Sequence, residues 1–566
     1  MNIHKDLVPY AGKYFQGKWP SITLLFNISL YLFPQRECFV AYEPKKIAYT
    51  YSEVREYTQN IASVLIESGI QKGDKVAING KNSIQWAIAY LAVNYAGAVG
   101  VPVDNQLPVS RFQSLAQFAD CKYVLADEDI LSKLDKTCPW CEQLLGMMSL
   151  KERDNSYTNI MNAKASKVYD EVTVSEDDLA SILFTSGTTG NEKGVMLTNK
   201  NFVSNIFYSA DTFDNVSEKD IFYALLPLHH SYCFTAVLLE TIKFGASCVF
   251  GRGIIVSRMI ADMKLGKVTI FMGIPLLYNK LLAGINTKLK EKGMFTFVLI
   301  KSLMFINGLC KQWFNKSPFK GFFEKKIFNN LGFDHINFLI CGAGPLAPSV
   351  YKQYRQLGLD FLQGYGLTET APILALNPIN DFDLNATAKV INGVELIIAD
   401  PDENGVGEIR VKGENITSGY YKDEVNTALL FDENGYLKTG DLATMNSRQY
   451  ITIKGRCKNL IVTEGGKNVF PEEIEDAFQT YSEVEQILIR GFQAKKNLPS
   501  ECIEAVIFPN AENYKNQSKE QIDESIKAIV KEVNKNLSSY KKIEKITILD
   551  EPLAMTTTKK IKRNIN

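Results

Sequence analysis

Six consecutive residues, Thr185-Ser186-Gly187-Thr188-Thr189-Gly190, are each a glycine or a carrier of a β-hydroxyl. No helix survives that composition: glycine costs about 1 kcal/mol per helical position, and Ser and Thr side chains compete for backbone hydrogen bonds. The apolar run 179–184 before it reads as a buried strand, and Gly194-Val195-Met196-Leu197 after it as another. A strand–loop–strand unit of this kind is suited to wrapping an anion. Glycines let backbone N–H groups approach, hydroxyls donate, and Lys193 adds a full positive charge. A flexible Ser/Gly turn has the same composition, so the loop alone does not choose between the two. Spacing does exclude a P-loop, which needs glycine before the lysine and Ser or Thr after it; here Glu192 precedes Lys193 and Gly194 follows.

The chain around the loop alternates helical and strand signals. Residues 51–69 have apolar side chains at helical spacing and stop at glycine, 75–78 read as a strand, 86–97 as a small-residue helix and 98–103 as another buried strand. Such alternation predicts a parallel sheet with helices on both faces. Further on, 394–399, 407–411 and 435–441 are short strands with frequent glycines between them, which predicts a small barrel-like subdomain. Residues 476–550 read as a compact α+β unit with a helix over 519–536. The expected fold class is α/β, with a large N-terminal domain of parallel or mixed sheets flanked by helices and a small α+β C-terminal domain. A length of 566 residues agrees with one large and one small unit.

Charge and cysteine usage narrow the function classes. The 63 basic residues balance 63 acidic ones, which gives no electrostatic reason to expect nucleic acid. Ten scattered cysteines fit a reducing compartment better than a disulfide framework. Cys138-Pro139-Trp140-Cys141 has redox-motif spacing, but the sequence offers no βαβ context for it, and a mobile surface segment is its expected home. No run reads as long and apolar enough to span a bilayer. The stretch 22–33 comes nearest, interrupted by Asn27 and Ser29 and ended by Pro34, and no cleavage site follows it. The expected location is cytoplasmic.

Further motifs follow the loop in a fixed order. They are Leu226-Pro227-Leu228-His229-His230, Ile340-Cys341-Gly342-Ala343-Gly344-Pro345-Leu346 and Gln363-Gly364-Tyr365-Gly366-Leu367-Thr368-Glu369-Thr370. Thr439-Gly440-Asp441, Ile453-Lys454-Gly455-Arg456-Cys457-Lys458-Asn459, a run from Gly465-Gly466-Lys467 to Glu475, and Thr556-Thr557-Thr558-Lys559-Lys560-Ile561-Lys562-Arg563 complete the series. A tyrosine between glycines offers a flat face to a purine, a hydroxyl donates to a phosphate oxygen, and a carboxylate holds Mg²⁺ with the phosphates. A carboxylate such as Asp441 can accept from two vicinal hydroxyls.

Together these motifs resemble the core motifs of the adenylate-forming superfamily: acyl- and aryl-CoA synthetases, adenylation domains and firefly luciferase. The loop resembles its first motif, T-S-G-T-T-G-x-P-K-G-V, except that Glu192 stands where proline is usual. An extra carboxylate beside a triphosphate weakens nucleotide affinity unless it faces away, and the sequence leaves both open. The resemblance implies that Thr185 to Gly190 and Lys193 hold the β- and γ-phosphates of ATP, and that Gly342, Ala343 and Gly344 border the adenine. It implies further that Gln363, Gly364, Tyr365 and Gly366 form the adenine site with Tyr365 stacking on the base. Thr368 then contacts the α-phosphate, Glu369 ligates Mg²⁺, His230 lines the acyl site, and Asp441 and Arg456 hold the ribose and phosphate. Lys458 takes the hinge position, Gly465 and Gly466 belong to a loop meeting the pantetheine arm of CoA, and Lys560 is the catalytic lysine. Lys559 stands where that last motif usually has glycine.

The implied domains are 1–455, with a β-rich part at about 386–455, and a C-terminal lid at 456–566 that rotates about Lys458. The implied reaction has two steps. A carboxylate attacks the α-phosphorus of ATP to give acyl-AMP and pyrophosphate, and CoA then takes the acyl group. Leu226 to Thr235 and Lys467 to Pro471 look most like bacterial long-chain fatty acyl-CoA synthetases, which makes a fatty acid the expected substrate. Residues 295–328 interleave aromatic side chains with six lysines and one acid, Glu324. That pattern fits a peripheral contact with the inner face of a membrane, and equally a core helix followed by a solvated loop. The rival readings are an acyl carrier protein as acceptor, another carboxylic acid as substrate, and a degenerate binding protein without activity. With three residues after Arg563, no fused carrier domain is expected.

Overall fold

The computed structural model describes residues 19–42, 45–151, 156–185, 192–210, 212, 216–253, 255–314, 316–463, 467–493, 501–515, 517–556 and 561–563. Strands β1 (Glu37–Tyr42) and β2 (Lys46–Thr50) pair antiparallel and lead into helix α1 (Tyr51–Glu67). Thr50 and Glu53 start that helix with a capping box, each side chain satisfying the other's backbone N–H. The alternation read from sequence then appears in space as β3 (Lys75–Asn79), α2 (Ile84–Tyr95), β4 (Val99–Pro102), α3 (Val109–Phe118), β5 (Cys121–Ala126), α4 (Pro139–Glu142) and β6 (Gly146–Ser149). With β7 (Leu179–Thr185) and β8 (Lys193–Thr198) these strands make a six-stranded sheet in the order β6-β5-β3-β4-β7-β8. All its pairs are parallel except the β7–β8 hairpin. Helix α2 is buried almost all round because it packs on β3 and β4 of this sheet and on β1 of the next. Small residues such as Ala87, Ala89 and Ala92 allow that close approach.

The second sheet has thirteen strands. Its parallel part comes from β9 (Ile221–Ala224), β10 (Ser247–Phe250), β11 (Ile270–Gly273), β12 (Phe338–Cys341) and β13 (Asp360–Gly366), with β1 beside β10. Helices α5 (Met294–Phe314) and α6 (Pro348–Gln356) fall between these strands in sequence. An antiparallel part follows: β14 (Ile373–Leu376), β15 (Ala388–Val390), β16 (Val394–Ala399), β17 (Gly407–Gly413), β18 (Leu437–Met445) and β19 (Tyr450–Arg456). This β-rich piece has its own core around Leu374, Ile409, Val411 and Ile451, but it continues the large sheet through β14 and β13 instead of standing apart. The C-terminal unit follows with β20 (Ile461–Val462), β21 (Asn468–Val469), α7 (Pro471–Phe478), β22 (Val484–Phe492), β23 (Cys502–Pro509), α8 (Lys519–Asn536) and β24 (Lys545–Ile548). Ile474, Phe478, Ile526 and Val530 join the core of a three-stranded sheet, β22-β23-β24.

Two expectations are corrected here. Cys138 and Cys141 lie in the crossover between the parallel strands β5 and β6, so the βαβ context exists. It escaped the sequence reading because α4 is a single turn, too short to leave a periodic signal. The motif does lie at the surface, with Lys136, Thr137, Pro139 and Glu142 exposed, while Trp140 and Cys141 turn inward to join a buried cluster with Val124 and Leu131. The other correction concerns α5, which is long and apolar enough to cross a membrane, with a mean hydropathy of 1.4 over its 18-residue window. Interleaved lysines hid this, and the fold draws them aside: Lys301 Nζ reaches Gln353 Oε1, and Lys311 Nζ reaches Asp360 Oδ1 at 2.7 Å. One face of α5 (Ile300, Met304, Asn307) is buried against the domain. The other exposes Phe295 at 82%, Trp313 at 74%, and Val298, Leu299, Phe305, Ile306 and Leu309 between them.

Candidate active site

The carboxyl ends of the parallel strands β11, β12 and β13 deliver three glycine-bearing turns to one place. The Gly342 N–H donates to the Gly273 carbonyl at 3.3 Å, and a Cβ on Gly342 would sit 2.9 Å from the Tyr232 ring. Ala343 next to it holds a left-handed φ of 64°, unusual for a residue with a Cβ. Gln363 is buried opposite Cys341, and its carbonyl accepts from Asn377 N–H at 2.8 Å. Gly366 has the strictest requirement: a Cβ there would lie 1.8 Å from the Pro372 carbonyl oxygen. Gly366 is therefore set by backbone approaching backbone, whereas a Cβ on Gly364 would first meet the Leu376 side chain at 3.0 Å.

Between those glycines, the Tyr365 hydroxyl donates to Asp441 Oδ2 at 2.8 Å. The β18–β19 register places Asp441 opposite Arg456, whose Nε lies 2.9 Å from Asp441 Oδ1. Asp441 is 5% exposed, and its N–H donates to Thr439 Oγ1 at 3.1 Å. Burial, and after it the Asp441 carboxylate, push the Tyr365 phenol well above its ordinary value. For Arg456 burial opposes the charge, but Asp441, Tyr365 and Glu369 outweigh it and raise the guanidinium's pKa.

Thr368 and Glu369 sit on the 3₁₀ turn that follows. Thr368 Oγ1 is 3.3 Å from Ser231 Oγ. Glu369 Oε1 accepts from the Tyr420 hydroxyl at 2.9 Å, and the Glu369 carbonyl accepts from Thr417 N–H at 2.9 Å. Lys193 Nζ lies over the face of that same Tyr420 ring, 4.8 Å from its centroid, and donates to Asn426 Oδ1 at 2.7 Å. Tyr420 thus links the lysine of the candidate phosphate loop to the candidate metal carboxylate. Thr185 pairs with Lys193 at the end of the hairpin, while Ser186, Gly187, Thr188, Thr189 and Gly190 lie outside the described residues. Glu192 faces Arg111: Nε donates to Oε1 at 3.2 Å, and Nη2 binds Oε2. The question left open by the sequence has a third answer, in which the carboxylate has its own cation.

The loop carrying the histidines is fixed by Asn82, whose Nδ2 donates to Leu226 O at 2.6 Å and whose Oδ1 accepts from Leu228 N–H at 2.9 Å. His229 is buried, and burial pushes its pKa down to about 3, outweighing the Asp104 carboxylate 3.6 Å from its Nε2. His230 is half-buried and caps the turn Ser231–Cys233, its ring 4.2 Å from that of His229.

Lys458 lies two residues after Arg456, in the turn Cys457–Asn459. Burial, then the charges of Arg456 and Arg563, lower its pKa. Arg563 fastens the C-terminal segment to α7, with Nη2 2.7 Å from Glu475 Oε2 and 3.3 Å from Glu472 Oε1. Its Nη1 donates to Ile489 O at 3.0 Å. Gly465, Gly466 and Lys560 lie outside the described residues. Elsewhere on the C-terminal unit, Gln479 Oε1 accepts from Ala347 N–H at 2.9 Å, close in sequence to the Gly342–Gly344 turn.

Sequence reading missed Arg111, Tyr420, Asn426, Ser231 and Asn82. Most lie far in the chain from the groups they hold, Arg111 by 81 residues and Asn426 by 233. The only local signal was Gly419 before the pair Tyr420-Tyr421, a glycine at φ 139° that turns an aromatic inward.

Two sheets with a glycine-framed site at parallel strand ends, closed by a small C-terminal unit, define an adenylate-forming type of enzyme. The chain belongs to the AMP-binding enzyme family: the family's profile matches residues 28–421, and the profile of its C-terminal domain matches 458–565. A long-chain-fatty-acid–[acyl-carrier-protein] ligase of Arabidopsis thaliana, chloroplastic, is 26% identical over 97% of this chain and 85% of its own length. A long-chain-fatty-acid–CoA ligase of Mycobacterium bovis is 27% identical over 91% of this chain and 90% of its own. The fold matches that of an O-succinylbenzoate coenzyme A synthetase of Bacillus subtilis, solved with ATP and magnesium. The TM-score is 0.72 at 22% identity, covering 95% of this chain and 98% of that one.

Proposed function

We propose that the chain is an acid–thiol ligase that converts a long-chain fatty acid and ATP to acyl-AMP and pyrophosphate, then passes the acyl group to CoA and releases AMP. The observation that carries the reading is the convergence of Tyr365, Asp441 and Arg456 with Glu369, Tyr420 and Lys193 around one set of strand ends. Asp441 and Arg456 would take the ribose, exchanging the Tyr365 hydroxyl for ribose hydroxyls. Lys193 and the loop from Thr185 to Gly190 would hold the departing pyrophosphate, and Thr368 the α-phosphate. The fatty carboxylate attacks phosphorus as the bond to pyrophosphate breaks, and negative charge gathers on the α-phosphate oxygens. Lys560 supplies the opposing charge.

Glu369 would hold Mg²⁺, and the hydrogen bond from Tyr420 to one of its oxygens supports this by orienting the carboxylate. Among the described residues no group of three or more His, Cys, Asp or Glu could hold a metal. Its other ligands would be phosphate oxygens and water, as is usual for Mg²⁺. When bound, the metal supplies charge neutralisation on the phosphates. Rotation of the unit beyond Lys458 would withdraw Lys560 and bring the loop at Gly465 and Gly466 to the thiol. A carrier protein as acceptor is the second reading, favoured by the Arabidopsis relative.

The exposed face of α5 supports a fatty substrate drawn from a bilayer. Its apolar side chains recur at helical spacing, and Lys316, Lys320, Lys325 and Lys326 follow it, which suits an anionic membrane surface on the cytoplasmic side. Trp19, Trp86 and Trp140 are buried, so a blue shift in fluorescence on adding anionic vesicles reports Trp313. No shift with vesicles would end the membrane reading. For the reaction, acids of graded chain length in a pyrophosphate–ATP exchange assay, followed by CoA or carrier protein as acceptor, separate the alternatives. Exchange that peaks with short or aromatic acids would contradict the fatty substrate.

A further inference from the structure

The crossover between β5 and β6 brings together two sulfurs that the ligase reaction does not use. Cys138 and Cys141 are the only cysteines in the chain at C-x-x-C spacing. Cys138 caps α4, with Pro139 in the first helical turn, and its Sγ accepts from the Cys141 N–H at 3.4 Å. Gln113 on α3 gathers both sulfurs, its Nε2 lying 2.8 Å from Cys138 Sγ and 3.8 Å from Cys141 Sγ. The Gln113 amide cannot turn away, because its oxygen accepts from Asp135 N–H at 3.0 Å while its nitrogen also donates to Asp135 O at 3.2 Å. Trp140 locks the turn against β5 through an Nε1–H bond to Cys121 O at 2.8 Å. Helical geometry sets Cα atoms three residues apart at about 5 Å, within the range a disulfide spans. Closure therefore needs side-chain rotation and no movement of the turn.

The two thiols differ in the way a dithiol exchange site requires. Cys138 is half-exposed and is approached by two N–H donors, while Cys141 is buried. Burial, together with the neighbouring Cys138, pushes the Cys141 thiol up to about 11. An exposed attacking sulfur beside a buried resolving one is the asymmetry of redox-active C-x-x-C sites.

We propose that Cys138 and Cys141 form a thiol–disulfide exchange site whose co-reactant is a small disulfide such as oxidised glutathione. The Cys138 thiolate attacks one sulfur of the disulfide, forming a mixed disulfide and releasing the first thiol. Cys141 then gives up its proton and attacks Cys138 Sγ, and the second thiol leaves. Two protein thiols become one disulfide, one small disulfide becomes two thiols, and no other electron acceptor is required.

The test uses the full-length protein, incubated with oxidised glutathione, quenched with an alkylating reagent, and digested for mass spectrometry. The wild-type peptide carrying Cys138 and Cys141 is expected to lose two hydrogens and escape alkylation, and to recover both thiols in dithiothreitol. Cys141→Ser should stop halfway, with a lasting glutathione adduct on Cys138, while Cys138→Ser should carry no adduct on Cys141. Half-exposed Cys502 and exposed Cys457 serve as internal comparisons for unselective oxidation. A wild-type peptide with two free thiols, or with a lasting glutathione adduct, under conditions that modify Cys457 would overturn the proposal.

Discussion

Removing Arg111 should weaken ATP binding without touching any group that meets ATP. The guanidinium makes a two-point contact with Glu192, and the side chains are 40% and 19% exposed. A partly exposed pair of this geometry contributes about 0.5–1 kcal/mol. In Arg111→Ala the carboxylate loses that partner and stays next in sequence to Lys193, whose charge would hold the pyrophosphate under the proposed function. One uncompensated charge about 7 Å away, at an effective dielectric of about 40, amounts to ~1 kcal/mol. That converts to a roughly fivefold rise in the KM for ATP. The assay is the initial rate of acid-dependent pyrophosphate–ATP exchange against ATP concentration, at low and high salt, with the difference shrinking at high salt. Glu192→Gln should lower the KM or leave it unchanged, Glu192→Pro should match it, and Arg111→Ala with Glu192→Gln should return to within about twofold of the parent. An unchanged KM in Arg111→Ala, or a double variant as weak as that single one, would refute the reasoning.

Gly366→Ala should destabilise the large domain by about 3 kcal/mol or more, because the overlap is with a carbonyl oxygen that cannot rotate away. A urea denaturation midpoint equal to the parent's would contradict the assigned geometry. His229 makes stability pH-dependent: its pKa is pushed from an ordinary value near 6.5 down to about 3, so the unfolded chain binds the extra proton. Its contribution is complete above pH 6.5 and lost as the pH falls toward 3, amounting to about 2 kcal/mol by pH 5. Urea midpoints of the parent and His229→Gln at pH 7 and pH 5 check this, and the parent should lose more than the variant between the two. Equal losses would mean that the imidazole is not held neutral.

The parts of this molecule legible in its sequence are those whose cause is local. Helix 519–536 could be read because Ser518 caps it and its apolar residues repeat at helical spacing. The strands around the phosphate loop could be read because hydroxyls and glycines break any alternative. The glycines at 364 and 366 were legible as a motif, while the reason for Gly366, the Pro372 carbonyl, became apparent only in space. What stayed hidden was long-range pairing. Nothing near Glu192 points to Arg111, and nothing near Lys193 points to Tyr420 or Asn426, since strand order alone brings them together. The continuation of the β-rich piece into the large sheet was hidden for the same reason. The face of α5 was obscured differently, by lysines that sequence counts as polar and the fold ties to Gln353 and Asp360.

The central claim is adenylate formation on a fatty carboxylate with Lys560 opposing the charge at the α-phosphate. Its most direct measurement is radiolabelled pyrophosphate exchange into ATP, with and without a long-chain fatty acid, in the wild type and in Lys560→Ala. The account predicts exchange only when acid is present, its loss in Lys560→Ala, and retained conversion of supplied acyl-AMP and CoA to acyl-CoA by that variant. Exchange without acid, or exchange undiminished in Lys560→Ala, would contradict it.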